Sequence, residues 1–411
     1  MNVVLVGALD TKHAEYGFVR DRITAAGVPC LVVDTSVLGT PGIAADVDRR
    51  AVAQAAGADH EALADAGDRN AAVAAMARGA AAVVRDLHRA GRVAAVVVLG
   101  GSNAGFVMSE VAPVLPLGVP KVLVSTVVAG DTRPYVGTSD VTMIYPVVDV
   151  AGLNSVSTPV LAKAADAVVG MVTGPPVPAR ADRPVVGATM FGVTTACVQA
   201  VSEHLAANGA EVQVFHCTGT GGRTFESLIA SGLFAAVADI TTTELADELV
   251  GGVCTAGPHR LEAAAAHGVP QVVSVGALDM VNFGPRDTVP AEHTGRHLIA
   301  HNPSVTLMRT SPAENAELGR MIARKLAGAR AFVEVHVPRR GFSQISAPGG
   351  PFHDPDADAA LIGALRAELD PRIPLHVHDL AINDPAFARH IGAALARALR
   401  STTSTPRTKG T

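Results

Sequence analysis

Short β-branched runs that end in glycine or aspartate alternate with alanine-rich stretches along nearly the whole chain. No other feature constrains the fold as strongly. VVLVG (3–7) leads into a helical segment at about 13–26 and then into CLVVD (30–34). The stretch 70–90 puts Val73, Met76, Ala77, Ala80, Val84 and Leu87 on one face at helical spacing. AAVVVLGG (94–101), a short helix and KVLVS (121–125) follow. Strands so uniformly apolar are buried on both faces, as in parallel sheets. Their alternation with helices predicts βαβ crossovers and a doubly wound α/β sheet.

The proline-rich segment TGPPVPARADRP (173–184) interrupts this pattern, which then restarts with VVGATMFG, EVQVFH, AAVADI, QVVSVG, SVTLM and AFVEVHVP. The expected organisation is an N-terminal Rossmann-like domain at 1–174, a linker at 175–184, a C-terminal Rossmann-like α/β domain at 185–399 and a disordered tail at 400–411. The halves echo one another: GALDTK against GATMFGVTT, LGGSNAG against HCTGTGG, PKVLVS against PQVVSVG. The echo suggests two related parallel-sheet domains facing each other across a cleft. The alternative is that all α/β units share such punctuation.

Composition excludes several classes. The 411 residues carry a net charge of −5 and no tryptophan, with three tyrosines and eleven phenylalanines. That balance argues against a nucleic-acid binder, which needs basic patches and stacking surfaces. Cys30, Cys197, Cys217 and Cys254 lie far apart with no CxxC spacing, so a structural zinc knot is not expected. MNVVLVGALD reads as a buried strand rather than a secretory leader. No apolar run reaches the length of about 18 residues that a membrane span needs. The expectation is a cytoplasmic protein with reduced thiols and no membrane partner.

Polar residues gather at predicted strand ends, where α/β proteins bind ligands. GALDTK supplies Gly7, Asp10, Thr11 and Lys12; Lys12, one of only five lysines, suits a phosphate or acidic contact, or else is a solvated surface lysine. LGGSNAG supplies Gly100, Gly101, Ser102 and Asn103 at a strand-to-helix turn, where backbone amides and the helix dipole favour an anion, or else the glycines only make an ordinary tight turn. It is neither a Walker loop nor GxGxxG. Thr138, Ser139 and Asp140 offer hydroxyls and a carboxylate for a ribose, a polyphosphate or water-bound Mg²⁺, or else cap a turn. HCTGTGGRTFE is a second glycine-rich turn, with Gly219, Gly221, Gly222 and then Arg223. Arg223 suits a carboxylate or phosphate, or else pairs with Glu226 across one helical turn.

In the second half Glu244, Asp279, His301 and Arg309 complete the candidate catalytic set with Arg223. A metal set can be drawn from His216, His259, Asp279 and His301, although no HxxxH or HxH spacing ties these four together. The absence of GxSxG argues against an α/β-hydrolase. Cys217 and Cys254 are either nucleophiles or small buried apolar groups.

Several of these motifs, in this order, make the chain resemble the Tm-one-like ATP-binding domain family. They are GALDTK, DTSVLG, LGGSNAG, GTSDVTMIYPVVDVAGLN, MFGVTT, VFHCTGTGGR, DITTTELADELVGGV, AGPHRLEAA, GALDMVNFG, HNPSVTLMRT and NDPAFA. The resemblance runs nearly end to end. It implies two Rossmann-like subdomains, ATP binding and homodimers. The chain departs from the family pattern where GGSNAG stands for GGSGGT-like residues, where Pro146 follows Tyr145, and where Ser346 occupies a position usually aspartate.

Two functions follow as expectations. One is an ATP-dependent enzyme, a ligase or phosphoryl-transfer enzyme, acting with Mg²⁺ on a small acidic metabolite in the interdomain cleft. Its catalysis would be positioning plus charge neutralisation. The other is a nucleotide-dependent binding or regulatory module without turnover.

Overall fold

The computed structural model describes residues 1–175 and 183–403, and the chain divides into two compact units, Met1–Pro178 and Ala179–Thr411. Most of the expected linker, residues 176–182, lies outside the described residues.

The first unit contains β1 (Asn2–Gly7), β2 (Cys30–Asp34), β3 (Val93–Gly100), β4 (Lys121–Ser125) and β5 (Val141–Ile144). They form one sheet in the order β2-β1-β3-β4-β5, and every neighbouring pair is parallel. Alternation along β1 explains the two cores. Val3 and Leu5 face the helices His13–Ala25 and Ser157–Thr173, whereas Val4 and Val6 face the helices Arg69–Arg89 and Ser102–Val111. The sheet is thus doubly wound.

The second unit contains β6 (Val185–Met190), β7 (Glu211–His216), β8 (Ala236–Thr241), β9 (Gln271–Gly276), β10 (Met280–Phe283), β11 (Leu298–Asn302), β12 (Val305–Arg309), β13 (Val333–Pro338) and β14 (Leu375–His378). Six of them make a parallel sheet in the order β14-β13-β9-β8-β6-β7. Counted along the chain without β10, β11 and β12, that order is 2-1-3-4-5-6. The first sheet reads 2-1-3-4-5, so the two units share their strand order.

Two expectations change. SVTLM does not continue the parallel pattern: it is β12, the centre of a three-stranded antiparallel sheet ordered β10-β12-β11. A five-residue apolar run carries no information about the direction of its partners. The expected disordered tail begins too early, because the helix Pro385–Thr403 runs through its first four positions. The rest of that segment, 404–411, lies outside the described residues. Among the described residues no helix is long and apolar enough to cross a membrane.

Candidate functional site

In the first unit β1 is flanked by β2 and β3, and the helices that follow β1 and β3 leave on opposite faces of the sheet. This is a topological switch point, where a crevice opens at the carboxyl ends of the strands. A cavity of about 700 Å³ lies there, within the range of small-molecule and cofactor sites. Gly7, Asp10, Thr11 and Lys12 line it from the end of β1, and Gly100, Gly101, Ser102 and Asn103 from the end of β3.

The β3 side is an open strand-to-helix turn. Gly100 has φ +145°, a conformation that side chains rarely adopt, and it turns the chain from strand into helix. The helix Ser102–Val111 has no side-chain cap, whereas Asp48, Asp59 and Asp68 each cap their own helices. Its first amides and the exposed side chains of Ser102 and Asn103 therefore face the cavity without an internal acceptor. Lys12 stands at the start of the helix His13–Ala25, with no ion pair or side-chain hydrogen bond among the described residues.

Buried groups hold the β1 side in shape. The Asp34 carboxylate accepts from the Leu9 and Ser36 amides and from the Ser36 hydroxyl, and Ser36 Oγ accepts from the Asp10 amide. DTSVLG thus scaffolds GALDTK. Tyr16 donates to Val6 O at 2.5 Å and accepts from Leu99 N at 2.8 Å, joining β1 to β3 just below the cavity. Burial pushes the Tyr16 phenol well above its ordinary range, so it stays neutral.

The rest of the lining was not foreseen. Leu63, Val73, Met76 and Val107 form an apolar wall, and Asp68, Arg69 and Asp149 add charge. Val73 and Met76 lie on the helix face that the spacing identified as core. The spacing gave no sign that the end of this face borders a cavity.

Thr138, Ser139 and Asp140 do not join this site. They precede β5 and so sit at the amino edge of the sheet, opposite the cavity. Asp140 accepts from the Gly118 amide and pairs at 2.6 Å with the fully buried Lys121. Its carboxyl is held below the usual range by Lys121 and the Gly118 amide, although partial burial opposes them.

The glycine-rich turn of the second unit already holds an anion, and the anion is internal. Glu244 Oε1 accepts from the Gly219 and Gly222 amides at 2.8 and 3.0 Å. A Cβ on Gly222 would lie 2.0 Å from Glu244, and one on Gly221 would lie 1.8 Å from the His216 carbonyl. These glycines serve internal packing. Glu244 belongs to a network around the fully buried Arg260, which also bonds Asp239 and Glu226.

Arg223 is exposed and reaches the Thr255 carbonyl and Thr220 Oγ1. It does not pair with Glu226, whose carboxylate accepts from the amides of Leu261, Glu262 and Ala263.

The other candidates are also separated. Asp279 is buried; one oxygen accepts from Ser343 Oγ at 2.7 Å and the other has no partner. Burial pushes its carboxyl up, against the influence of Arg309. Ser346 Oγ accepts from the Ser343 amide, so its role is to fix the serine that meets Asp279. Arg309 is tied to Asp358 and to the carbonyls of Phe352, Asp354 and Asp279. His301 is exposed on β11, His216 is exposed, and the exposed His259 pairs with Glu262.

The drawn metal set therefore does not converge. Among the described residues the histidine and carboxylate donors that do converge are Glu334, His336 and His376. The sequence carries their signal as EVH and HVH in two segments 40 residues apart, which no local spacing rule joins. Cys217 is buried, and burial lifts its thiol well above the usual value. Burial likewise pushes Cys254 up to about 12. Neither is a ready thiolate.

Comparison with known proteins gives the relationship. The chain is 44% identical to a UPF0261 protein of Clostridium tetani over 94% of this chain and 96% of that one. It is 39% identical to the ToMV resistance protein Tm-1(GCR237) of Solanum lycopersicum over 94% of this chain and 54% of that longer protein. Among solved structures, a UDP-N-acetylglucosamine 2-epimerase aligns over 99% of both chains at 11% identity, with a TM-score of only 0.25. The model of the N-terminal domain of "Uncharacterised protein family (UPF0261)" matches residues 1–176 and that of its C-terminal domain residues 183–399, so the chain belongs to the UPF0261 family.

Proposed function

We propose that the first unit binds ATP with Mg²⁺ in the switch-point cavity. The observation that carries this reading is the uncapped helix Ser102–Val111 opening onto a cavity of nucleotide size beside the unpaired Lys12. Phosphates fit the amides of Ser102 and Asn103, with Gly100 and Gly101 permitting close approach and Lys12 adding charge. A flat apolar base fits the wall of Leu63, Val73, Met76 and Val107. Mg²⁺ keeps most of its waters and takes one or two carboxylates beside the phosphates. Asp10 and Asp149 line the cavity and suit that role. Bound ATP would supply a transferable phosphoryl group or an activated carboxylate.

Two uses of the nucleotide remain in view. An enzyme acting on a small acidic metabolite needs the carboxylate positioned against the phosphates and the developing charge neutralised, because an ionised carboxylate attacks without a base. Asp10 already accepts from the Gly39 amide and Asp68 caps its helix. Asp149 is the lining carboxylate left without a hydrogen bond among the described residues, so the site fits the enzyme and the nucleotide-dependent binding module alike. All four cysteines are free, which fits the expected cytoplasmic setting. A homodimer is the assembly implied by the family resemblance, and light scattering on the purified chain tests it.

Calorimetric titration with ATP–Mg²⁺, ADP and adenosine tests the site. Binding that weakens as phosphates are removed supports it. No heat and no thermal shift at millimolar ATP overturn it, since a ligand at 100 times its Kd adds about 2.7 kcal/mol. ATP turnover assayed with a panel of small carboxylic acids separates the enzyme from the module.

A further inference from the structure

The second unit carries a cluster of imidazoles and a carboxylate that nucleotide binding does not use. β13 and β14 are parallel neighbours, with His336 opposite His376 and Pro338 opposite His378. The two-residue alternation of strands puts Glu334, His336, His376 and His378 on one face. Glu334 Oε2 lies 3.0 Å from His336 Nε2 and 3.5 Å from His376 Nε2. His376 Nε2 is buried and has no hydrogen-bond partner.

We propose that Glu334, His336 and His376 bind a divalent transition metal of the zinc class. Donors about 2.0–2.2 Å from a tetrahedral zinc ion stand roughly 3.3 Å from one another. The separations of 3.0 and 3.5 Å bracket that value, and all three donor atoms lie within 4.8 Å of one another. Two imidazoles and one carboxylate favour zinc, nickel or copper over magnesium or calcium. Three protein ligands leave a coordination position for water.

The surroundings match what metal-ligating histidines require. A ligating imidazole is oriented through its other ring nitrogen. His336 Nδ1 stands 3.0 Å from His378 Nε2, and His378 packs against His390 with ring centres 4.4 Å apart. Arg397 Nη2 lies 2.7 Å from the same Glu334 oxygen and acts as its counter-ion without a metal. Its side chain is 45% exposed, so it can withdraw to solvent when a dication arrives. This site is independent of the ATP reading, since it lies on a different sheet and involves no cavity residue.

The test uses the full chain, stripped with a chelator and dialysed. Zn²⁺ is titrated by calorimetry and Co²⁺ by its visible absorption. The expected result is a single equivalent bound, with the intense colour of low-coordinate cobalt. His376→Ala, at a half-exposed position, should weaken Zn²⁺ at least ten-fold while the circular dichroism stays unchanged. His378→Ala should weaken it by about 10–100-fold through loss of the orienting partner. His376→Gln stands in if the alanine variant does not fold. No binding by the parent chain, or equal affinity in the parent and the folded His376 variant, overturns the proposal.

Discussion

A Cβ on Gly7 would lie 1.9 Å from the Tyr16 hydroxyl, so the end of β1 and the tyrosine beneath it are mutually exclusive with any larger residue at position 7. Tyr16 occupies the space where a side chain would point, and its hydroxyl ties Val6 O to Leu99 N. The glycine at the head of GALDTK is thus set by packing as much as by ligand approach. Tyr16→Phe keeps the ring and orphans two buried backbone groups. It should cost about 1–3 kcal/mol in urea unfolding. Gly7→Ala should cost more, because a fully buried tyrosine has nowhere to move. A Gly7→Ala protein as stable as the parent would contradict this account.

Ser102→Leu should weaken ATP binding and leave stability within about 0.5 kcal/mol, because the Ser102 side chain is exposed and makes no hydrogen bond among the described residues. The branched side chain would block the approach that Gly100 and Gly101 allow. Lys12→Ala should weaken ATP by about ten-fold or more, if its ammonium makes a charge-assisted bond worth about 1.5–3 kcal/mol. Calorimetric titration of both variants is the measurement. Unchanged affinity in both would move the nucleotide elsewhere.

Much of the fold was legible because its signal is local. β-branched apolar runs such as AAVVVLGG, short and closed by glycines, read as buried strands, and those glycines mark the strand ends. What escaped depended on distance along the chain. Glu244 fills the turn at Gly219 from 25 residues away, a partner that no spacing rule announces. The edge of the sheet to which Asp140 belongs is set by β5, a strand of only four residues, VTMI, too short to announce itself by periodicity. The β12 run carried the right periodicity but not the direction of its neighbours. The paired EVH and HVH strands become a cluster only once β13 and β14 are adjacent.

Arg260 and Arg223 make a direct contrast. Arg260 is fully buried against Asp239, Glu244 and Glu226. Arg260→Leu leaves those carboxylates without their cation and should cost about 3–5 kcal/mol, enough to unfold many domains. Arg223→Ala should change stability by no more than about 0.5 kcal/mol and leave ATP affinity unchanged, since Arg223 does not line the cavity. Thermal unfolding of the two variants decides between a structural and an exposed role. A large loss at Arg223 would reverse the assignment.

Asp247 predicts how stability depends on pH. Its carboxyl is pushed up to about 7, chiefly by burial and with a further push from Glu244. The Asn282 side chain and the Cys254 and Asn282 amides donate to it and pull the other way. Asn282 Oδ1 has no partner, so turning that amide over would offer an acceptor to a protonated Asp247. The folded pKa lies above the unfolded value of about 3.9. The folded state therefore binds the extra proton between those values, and stability falls as pH rises through that window. The slope from this one group is about 1.4 kcal/mol per pH unit, levelling off above about pH 7. Asp247→Asn cannot titrate, so the difference in unfolding free energy between parent and variant should shift toward the variant from pH 5 to pH 8. Urea titrations of both proteins across that range give the measurement. A difference that stays flat with pH would mean that Asp247 is ionised throughout, held by its three donors.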